Sequence, residues 1–242
     1  MNKENEINFS KTVIVTGASR GLGRSIALAL AKNGRSVIAI ARNSPDLESL
    51  GLELQTLSSS SSVRDCDLLD FDSTLRLIES IDFEIDAVVH NLGGTVKTQD
   101  NLVRLSELIS ALQLNLISAV ALNELIVPRM AKRRKGRLIH ISSLASIENY
   151  GSSVYAISKS ALNAYVRVMA TELLGTGVTI TGLIPSRLPN KNSQVALNVN
   201  KGITNNDVIE TLEFLLDMNS SSLSGTLLQL DGGRSNVIER QL

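Results

Sequence analysis

The sequence is short of several things, and each shortage closes off a class of protein. It has one cysteine, Cys66, so no internal disulfide can form, and a reducing compartment is expected. Neither charge is in excess: 24 Lys and Arg face 24 Asp and Glu. Without a net field, nothing recruits nucleic acid or an anionic membrane. No apolar run approaches the ~20 residues that cross a bilayer. Met1-Asn2-Lys3-Glu4-Asn5-Glu6 lacks the apolar core of a signal peptide. A cytoplasmic protein with no membrane partner is therefore the expectation. The two histidines, His90 and His140, each end an apolar run and have no Cys, Asp or Glu at metal-ligand spacing, so no metal is expected. There is no internal repeat, and no linker long enough to separate domains.

What remains is 242 residues with 43% apolar and 20% charged content, ordinary for a globular protein and enough for one α/β domain. Residues 1–9 read as a polar tail and residues 10–242 as a single domain. Short apolar runs, at 11–16, 36–41, 62–67, 85–90, 136–141, 177–184 and 225–230, predict strands. Helical patterns fall between them at 23–33, from 44 onward, and at 72–80, 102–133, 158–174 and 207–218. The helix over 102–133 is expected to be interrupted near Ser110. The serine run 58–62 reads as a loop. Strands alternating with helices at this spacing predict a single doubly wound parallel sheet, a Rossmann-type three-layer sandwich.

Thr16-Gly17-Ala18-Ser19-Arg20-Gly21-Leu22-Gly23 joins the first strand to the first helix. Gly17 allows a sharp turn, Gly21 leaves room for a pyrophosphate, and Gly23 lets the helix pack closely. The N–H groups at the helix start then face an anion. Gly17, Ser19, Arg20, Gly21, Leu22 and Gly23 are thus candidate cofactor contacts. Ligands of such sheets sit beyond the carboxyl ends of the strands. After the second strand, where an acid would bond ribose hydroxyls, this chain has Ala41 and then Arg42. Arg20 and Arg42, with no acid beside them, suit a 2′-phosphate and hence NADP(H) over NAD(H). Asp67, after the third strand, could accept from the adenine amino group.

Tyr155 and Lys159 are four apart, which places them on one face of a helix. A phenol ordinarily titrates near 10. An ammonium beside it favours the phenolate and makes it a better proton donor or acceptor near neutrality. Ser143 ends a strand 12 residues earlier and could hydrogen-bond a substrate oxygen. Arg129, Lys132, Arg133, Arg134, Lys135 and Arg137 form a basic run. No aromatic interleaves it and it falls at a helix C-terminus, so a solvated helix end is expected there rather than a nucleic-acid surface.

Taken in order, Thr16-Gly17-x-x-x-Gly21-x-Gly23, Asn91-Leu92-Gly93, Asn115, Ser143 and Tyr155-x-x-x-Lys159 resemble the short-chain dehydrogenase/reductase family from about residue 11 to the end. The resemblance implies a catalytic tetrad. Tyr155 would exchange the proton with the carbonyl or alcohol oxygen, and Ser143 would orient that oxygen. Lys159 would assist Tyr155 and hold the nicotinamide ribose, and Asn115 would anchor a water linking Lys159 to solvent. Asn91 and the Gly93-Gly94 backbone would flank the adenosine side of the cofactor, and Pro185 would also contact it. The basic residues Arg20 and Arg42 match NADP-preferring members. Three departures stand out. His90-Asn91-Leu92-Gly93 replaces Asn-Asn-Ala-Gly. The interval from Ser143 to Tyr155 is one residue short, which leaves Ser142 as an alternative. Pro185-Ser186 replaces Pro-Gly. The segment 186–204 would form the substrate lid, where Arg187, Lys191 and Lys201 could meet an anionic substrate or face water.

The expected function is NADPH-dependent reduction of a carbonyl, with 3-oxoacyl thioesters among the substrates such family members take. The alternatives are an NAD-dependent alcohol or sugar dehydrogenase and a nucleotide sensor without turnover. By the same resemblance a homodimer or homotetramer is expected.

Overall fold

The computed structural model describes residues 12–99, 102–148, 151–188 and 203–233. The expected tail 1–9 and most of the expected lid, including Lys191 and Lys201, lie outside the described residues. Seven strands form one sheet: β1 (Thr12–Thr16), β2 (Ser36–Ala41), β3 (Ser62–Asp65), β4 (Ala87–His90), β5 (Gly136–Ile141), β6 (Val178–Pro185) and β7 (Leu227–Leu230). Their order is β3-β2-β1-β4-β5-β6-β7 and every pairing is parallel. The central strands are apolar on both faces because helices cover both. Alternation divides the core accordingly. Ile14, Ile38, Val88, Leu138 and Ile180 face one helix layer, and Val13, Val15, Val37, Val89, Ile139 and Leu183 face the other.

The second of these layers contains α1 (Gly21–Lys32), α2 (Pro45–Leu57) and α7 (Asn205–Asp217). The first contains α3 (Phe71–Glu79), α5 (Ser118–Arg133) and α6 (Ser153–Glu172). Side-chain caps fix three of the helix starts. Ser44 accepts from Leu47 N–H with Pro45 in the first turn. Asp70 caps α3, which starts one residue before its expected Asp72. Thr204 and Asp207 close a capping box, and α7 begins at Asn205 rather than Asp207. The largest difference is α6, which begins at Ser153, five residues ahead of the predicted Ser158. In its first turns Ser153, Ala156 and Ser158 are interleaved with Val154, Tyr155 and Ile157, so the apolar period that marks the rest of the helix is faint there.

The long helix is interrupted, though not at Ser110. α4 (Leu105–Leu112) runs into a π-turn at Gln113–Ile117 before α5 continues. Taken together the run spans 29 residues and is apolar enough to cross a bilayer by composition, contrary to the sequence-based expectation that no such run exists. It lies instead against the sheet, burying Ala111, Asn115, Leu122, Asn123, Ile126 and Met130. Of the basic run at the end of α5, Lys132 and Arg134 are exposed, as a solvated helix end requires, while the other four are engaged within the fold. Arg129 donates to the Ile78 and Ile81 carbonyls at 2.9 and 2.6 Å. Arg133 meets Glu84 at 3.0 Å, Lys135 meets Asp86 at 3.0 Å, and Arg137 donates to the Met218 carbonyl.

Candidate active site

The carboxyl ends of the parallel strands open onto a groove of about 1040 Å³. β1 ends at Thr16, and the chain reverses through Gly17, whose φ of +63° is left-handed. A Cβ on Gly17 would lie 2.9 Å from Leu92 Cα, so this turn needs glycine for space as well as for conformation. Gly23, on the first turn of α1, is more constrained. A Cβ there would stand 2.3 Å from the Gly17 carbonyl oxygen and 2.4 Å from Asn91 Nδ2. Gly21 meets nothing within 4 Å and faces open space. α1 has no side-chain cap and no acid in its first turn, which suits an anion at its N-terminus.

The end of β4 locks this turn from the other side. Thr16 Oγ1 accepts from Asn91 N–H at 3.1 Å and Leu92 N–H at 3.0 Å. Asn91 Nδ2 donates to the Thr16 and Gly17 carbonyls at 3.1 and 3.2 Å. Asn91 therefore holds the glycine turn itself, besides lining the groove. Of the expected cofactor contacts, Gly17, Ser19, Arg20, Gly21, Leu22, Arg42, Asp67, Asn91 and Gly93 line this one groove. Gly23 lies buried under it, and Pro185, the last residue of β6, Tyr155 and Lys159 are outside its lining. Sequence reasoning overlooked Asn43, Ser44 and Asp46 of the lining. Arg20 and Arg42 are exposed, and Asp46 adds a carboxylate to the same wall. Asp67 spends one carboxylate oxygen on Leu69 N–H, 3.0 Å away. Cys66 is buried at the groove floor, and burial pushes its thiol up, away from the reactive thiolate.

At its inner end the groove meets the second group of residues. Gly93 is the junction, since a Cβ added there would lie 2.7 Å from Asn115 Oδ1 and 2.9 Å from Lys159 Nζ. Asn115 is buried in the π-turn, where it bonds Gly94 and the Ala111 carbonyl. Lys159 is 3% exposed and donates to the Ile141 carbonyl at 2.8 Å. Burial brings its ammonium down to about 8. It lies 5.9 Å from the centre of the Tyr155 ring, one turn earlier on α6. Tyr155 itself is half-buried.

Ser143 follows β5 and starts a 3-10 turn, Leu144–Ser146. Its Oγ accepts from Ala145 N–H at 3.2 Å, which leaves the hydroxyl proton for another acceptor. That turn is tied to α6, where Ser160 Oγ donates to the Ser146 carbonyl at 2.8 Å and Asn163 Nδ2 to Ser146 Oγ at 2.7 Å. Ser142, the alternative, directly follows β5, is 4% exposed and has an unpartnered Oγ. Ser143 is half-buried and better placed for a ligand. Among the described residues no group of three or more His, Cys, Asp or Glu could hold a metal ion.

Comparison with known proteins agrees with this geometry. Residues 11–195 match the family model described as short chain dehydrogenase. An uncharacterized oxidoreductase of Myxococcus xanthus is 34% identical over 179 residues, 72% of this chain and 71% of that protein. The 3-oxoacyl-[acyl-carrier-protein] reductase FabG of Haemophilus influenzae is 28% identical over 92% of this chain and 97% of its own. A solved structure from Beutenbergia cavernae, named for NAD(P)-dependent gluconate 5-dehydrogenase activity and carrying NADP at low occupancy, is 26% identical. It covers 95% of this chain and 98% of its own with a TM-score of 0.83. The left-handed turn at Gly17, the open space at Gly21 and the uncapped start of α1 fit the pyrophosphate of the nicotinamide dinucleotide that this family binds.

Proposed function

The chain belongs to the short-chain dehydrogenase family, and from that premise we propose that it is an NADPH-dependent reductase of ketone carbonyls, with 3-oxoacyl thioesters as the first substrate class. One observation carries the reading: Tyr155 and the buried Lys159 stand on one face of α6, and Lys159 Nζ lies against Gly93, which lines the groove that Arg20 and Arg42 also line. The dinucleotide supplies the hydride. The protein does the rest. Tyr155 Oη gives a proton to the carbonyl oxygen, while the Ser143 hydroxyl donates to the same oxygen and fixes its direction. Lys159, at 5.9 Å from the Tyr155 ring, stabilises the phenolate left behind. Gly93 has no side chain, so Lys159 Nζ and Asn115 Oδ1 reach the floor on which the nicotinamide ribose would rest.

Two guanidinium groups in the groove lining, Arg20 in the turn after β1 and Arg42 after β2, support recognition of a 2′-phosphate, and Ala41 in place of an acid removes the partner of free ribose hydroxyls. Thioester substrates are favoured by the names of relatives, which include a fatty acyl-CoA reductase of Acinetobacter baylyi, 31% identical over 76% of this chain and 66% of its own, and FabG. Exposed Leu105, Ile109 and Ile117 along α4 and the π-turn support pairing with a second copy. The test is oxidation of NADPH and of NADH against a 3-oxoacyl thioester, small ketones, keto sugars and a quinone. Turnover of the thioester with NADPH is expected. Preference for NADH, or turnover of a keto sugar alone, would replace the reading with that of a sugar or alcohol dehydrogenase. Tight binding of NADPH with no turnover on any of them would replace it with that of a nucleotide sensor.

A further inference from the structure

Deep to Lys159 lies a cluster of polar side chains that the mechanism does not use. His90 at the end of β4 and His140 on β5 are register partners. Their rings stack with centroids 4.2 Å apart and planes within 8°. Asn123 of α5 bridges them. Its Oδ1 is 2.8 Å from His90 Nε2, and its Nδ2 is 3.4 Å from His140 Nε2 and 3.0 Å from the Tyr165 hydroxyl on α6. The Tyr165 ring meets His140 edge-on at 5.8 Å. Because Asn123 Nδ2 can only donate, His140 Nε2 accepts, and the hydrogen-bond pattern assigns the His140 proton to Nδ1. That Nδ1 is buried without a partner.

The four residues come from the four elements that carry the reaction centre. β4 leads into Asn91–Gly94, α5 continues the helix of Asn115, β5 leads into Ser143, and α6 bears Tyr155 and Lys159. The carbonyl that takes the Lys159 proton belongs to Ile141, the residue after His140. We propose that His140, held by His90, Asn123 and Tyr165, is a positioning residue for Lys159, setting the Ile141 carbonyl and through it the place of the ammonium beside Tyr155. This rests on the reading of Lys159 as the partner of a proton-donating Tyr155.

A pair of aliphatic side chains would fill the same layer without an orphaned Nδ1 and at lower desolvation cost. What a hydrogen-bonded array adds is a single geometry. The array is also compatible with a nearby cation only while uncharged, and it is. The titratable groups facing His140 are His90 from β4 and Lys159 and Tyr165 from α6, while α5 contributes the neutral Asn123. Burial first, then the charges of His90 and Lys159, hold His140 well below its ordinary value. Burial brings His90 down to about 4 against the smaller opposing effect of Asn123.

The experiment follows the Lys159 titration by NMR in full-length protein carrying 13C-labelled lysine, with the resonance assigned by comparison with Lys159→Arg. No substrate is needed. In the wild type the transition is expected near 8. In His140→Asn and Asn123→Leu it should move up toward the ordinary lysine value of about 10.4 as water reaches the ammonium. In the same variants kcat should fall about 10²-fold, and the alkaline limb of the pH profile should shift with the lysine. Tyr165→Phe keeps the ring and removes one bond, so it should fold and move both in the same direction by less. A Lys159 transition that stays at the wild-type value in every folded variant, whatever happens to Tm, would overturn the proposal and leave the array as packing. If the wild type binds NADPH and reduces no carbonyl, the functional reading fails, and the lysine titration still decides this one.

Discussion

Asn115 and Gly94 hold each other by two hydrogen bonds running in opposite directions. Gly94 N–H donates to Asn115 Oδ1 at 2.8 Å, and Asn115 Nδ2 donates to the Gly94 carbonyl at 3.0 Å. The second amide proton goes to the Ala111 carbonyl, also at 3.0 Å. With both donors used, the side chain is a strut between the π-turn and the loop after β4. A water joining Lys159 to solvent can be held only by the remaining lone pair of Oδ1 or by backbone.

Asn115→Ala should therefore do two things. It leaves buried backbone groups without partners, at about 1–3 kcal/mol each, and it frees the loop that ends at Gly93. We expect lower Tm, weaker NADPH binding and slower turnover together. Turnover and binding at wild-type values would remove Asn115 from the site.

Tyr155→Phe removes the hydroxyl of the phenol whose ring lies 5.9 Å from Lys159 Nζ and leaves the groove lining intact. Turnover should fall at least about 10²-fold, in keeping with loss of a general acid, with the NADPH dissociation constant unchanged. Stopped-flow reduction and fluorescence titration read the two separately, and normal turnover would end the proton-transfer role.

The end of α6 that carries Tyr155 shows how far the sequence could be read. Tyr155, Lys159 and the glycine turn were legible because each uses a short spacing with one physical meaning. The same holds for the parallel sheet, whose strands are bare apolar runs. The helix start at Ser153 was not, since Ser153, Ala156 and Ser158 carry no apolar period. The π-turn was not, because a five-residue change of hydrogen bonding leaves the side-chain pattern of Gln113–Ile117 nearly unaltered. Nor does the sequence show that His90 and His140, each at the end of an apolar run, meet. Only the register of β4 against β5, a contact 50 positions apart in the chain, puts one ring on the other.

Arg42→Asp should shift the ratio of NADPH to NADH efficiency toward NADH, because a carboxylate repels a 2′-phosphate and accepts from ribose hydroxyls. An unchanged ratio would move the phosphate site away from the wall after β2. Asp46, on the same wall, makes Asp46→Asn the reciprocal variant, expected to strengthen NADPH binding.

Gly21→Ala and Gly23→Ala should separate ligand space from protein space. At Gly23 the new methyl would meet the Gly17 carbonyl and Asn91, so folding stability should drop by about 1–3 kcal/mol and nucleotide binding should be lost. At Gly21 the methyl meets no protein atom. The left-handed φ of +58° costs about 1–2 kcal/mol, and the main loss should be affinity for NADPH. Equal affinity in Gly21→Ala and wild type would place the pyrophosphate elsewhere.

Acid should weaken the fold through the stacked histidines. In the unfolded chain a histidine takes its proton near 6.5, whereas His90 resists until about 4. Between those values the unfolded state binds more protons. Stability then falls with pH by up to about 1.4 kcal/mol per pH unit for each such histidine. Urea midpoints at pH 7 and pH 5 should differ less in His90→Asn than in the wild type. Equal slopes would show that His90 takes its proton at the same pH folded and unfolded.

Lys159 sets two kinds of selection against each other. Its ammonium is kept in a dry layer, 3% exposed, where an apolar chain of the same length would rest more easily. Any pressure that rewards only solubility or heat resistance will favour losing it, and under the proposed mechanism any pressure on turnover will restore it. A heat-challenge screen of random variants should recover Lys159→Met as a gain. A lineage that had stopped using the reaction should drift first at this residue, while the glycine turn and the sheet stayed recognisable.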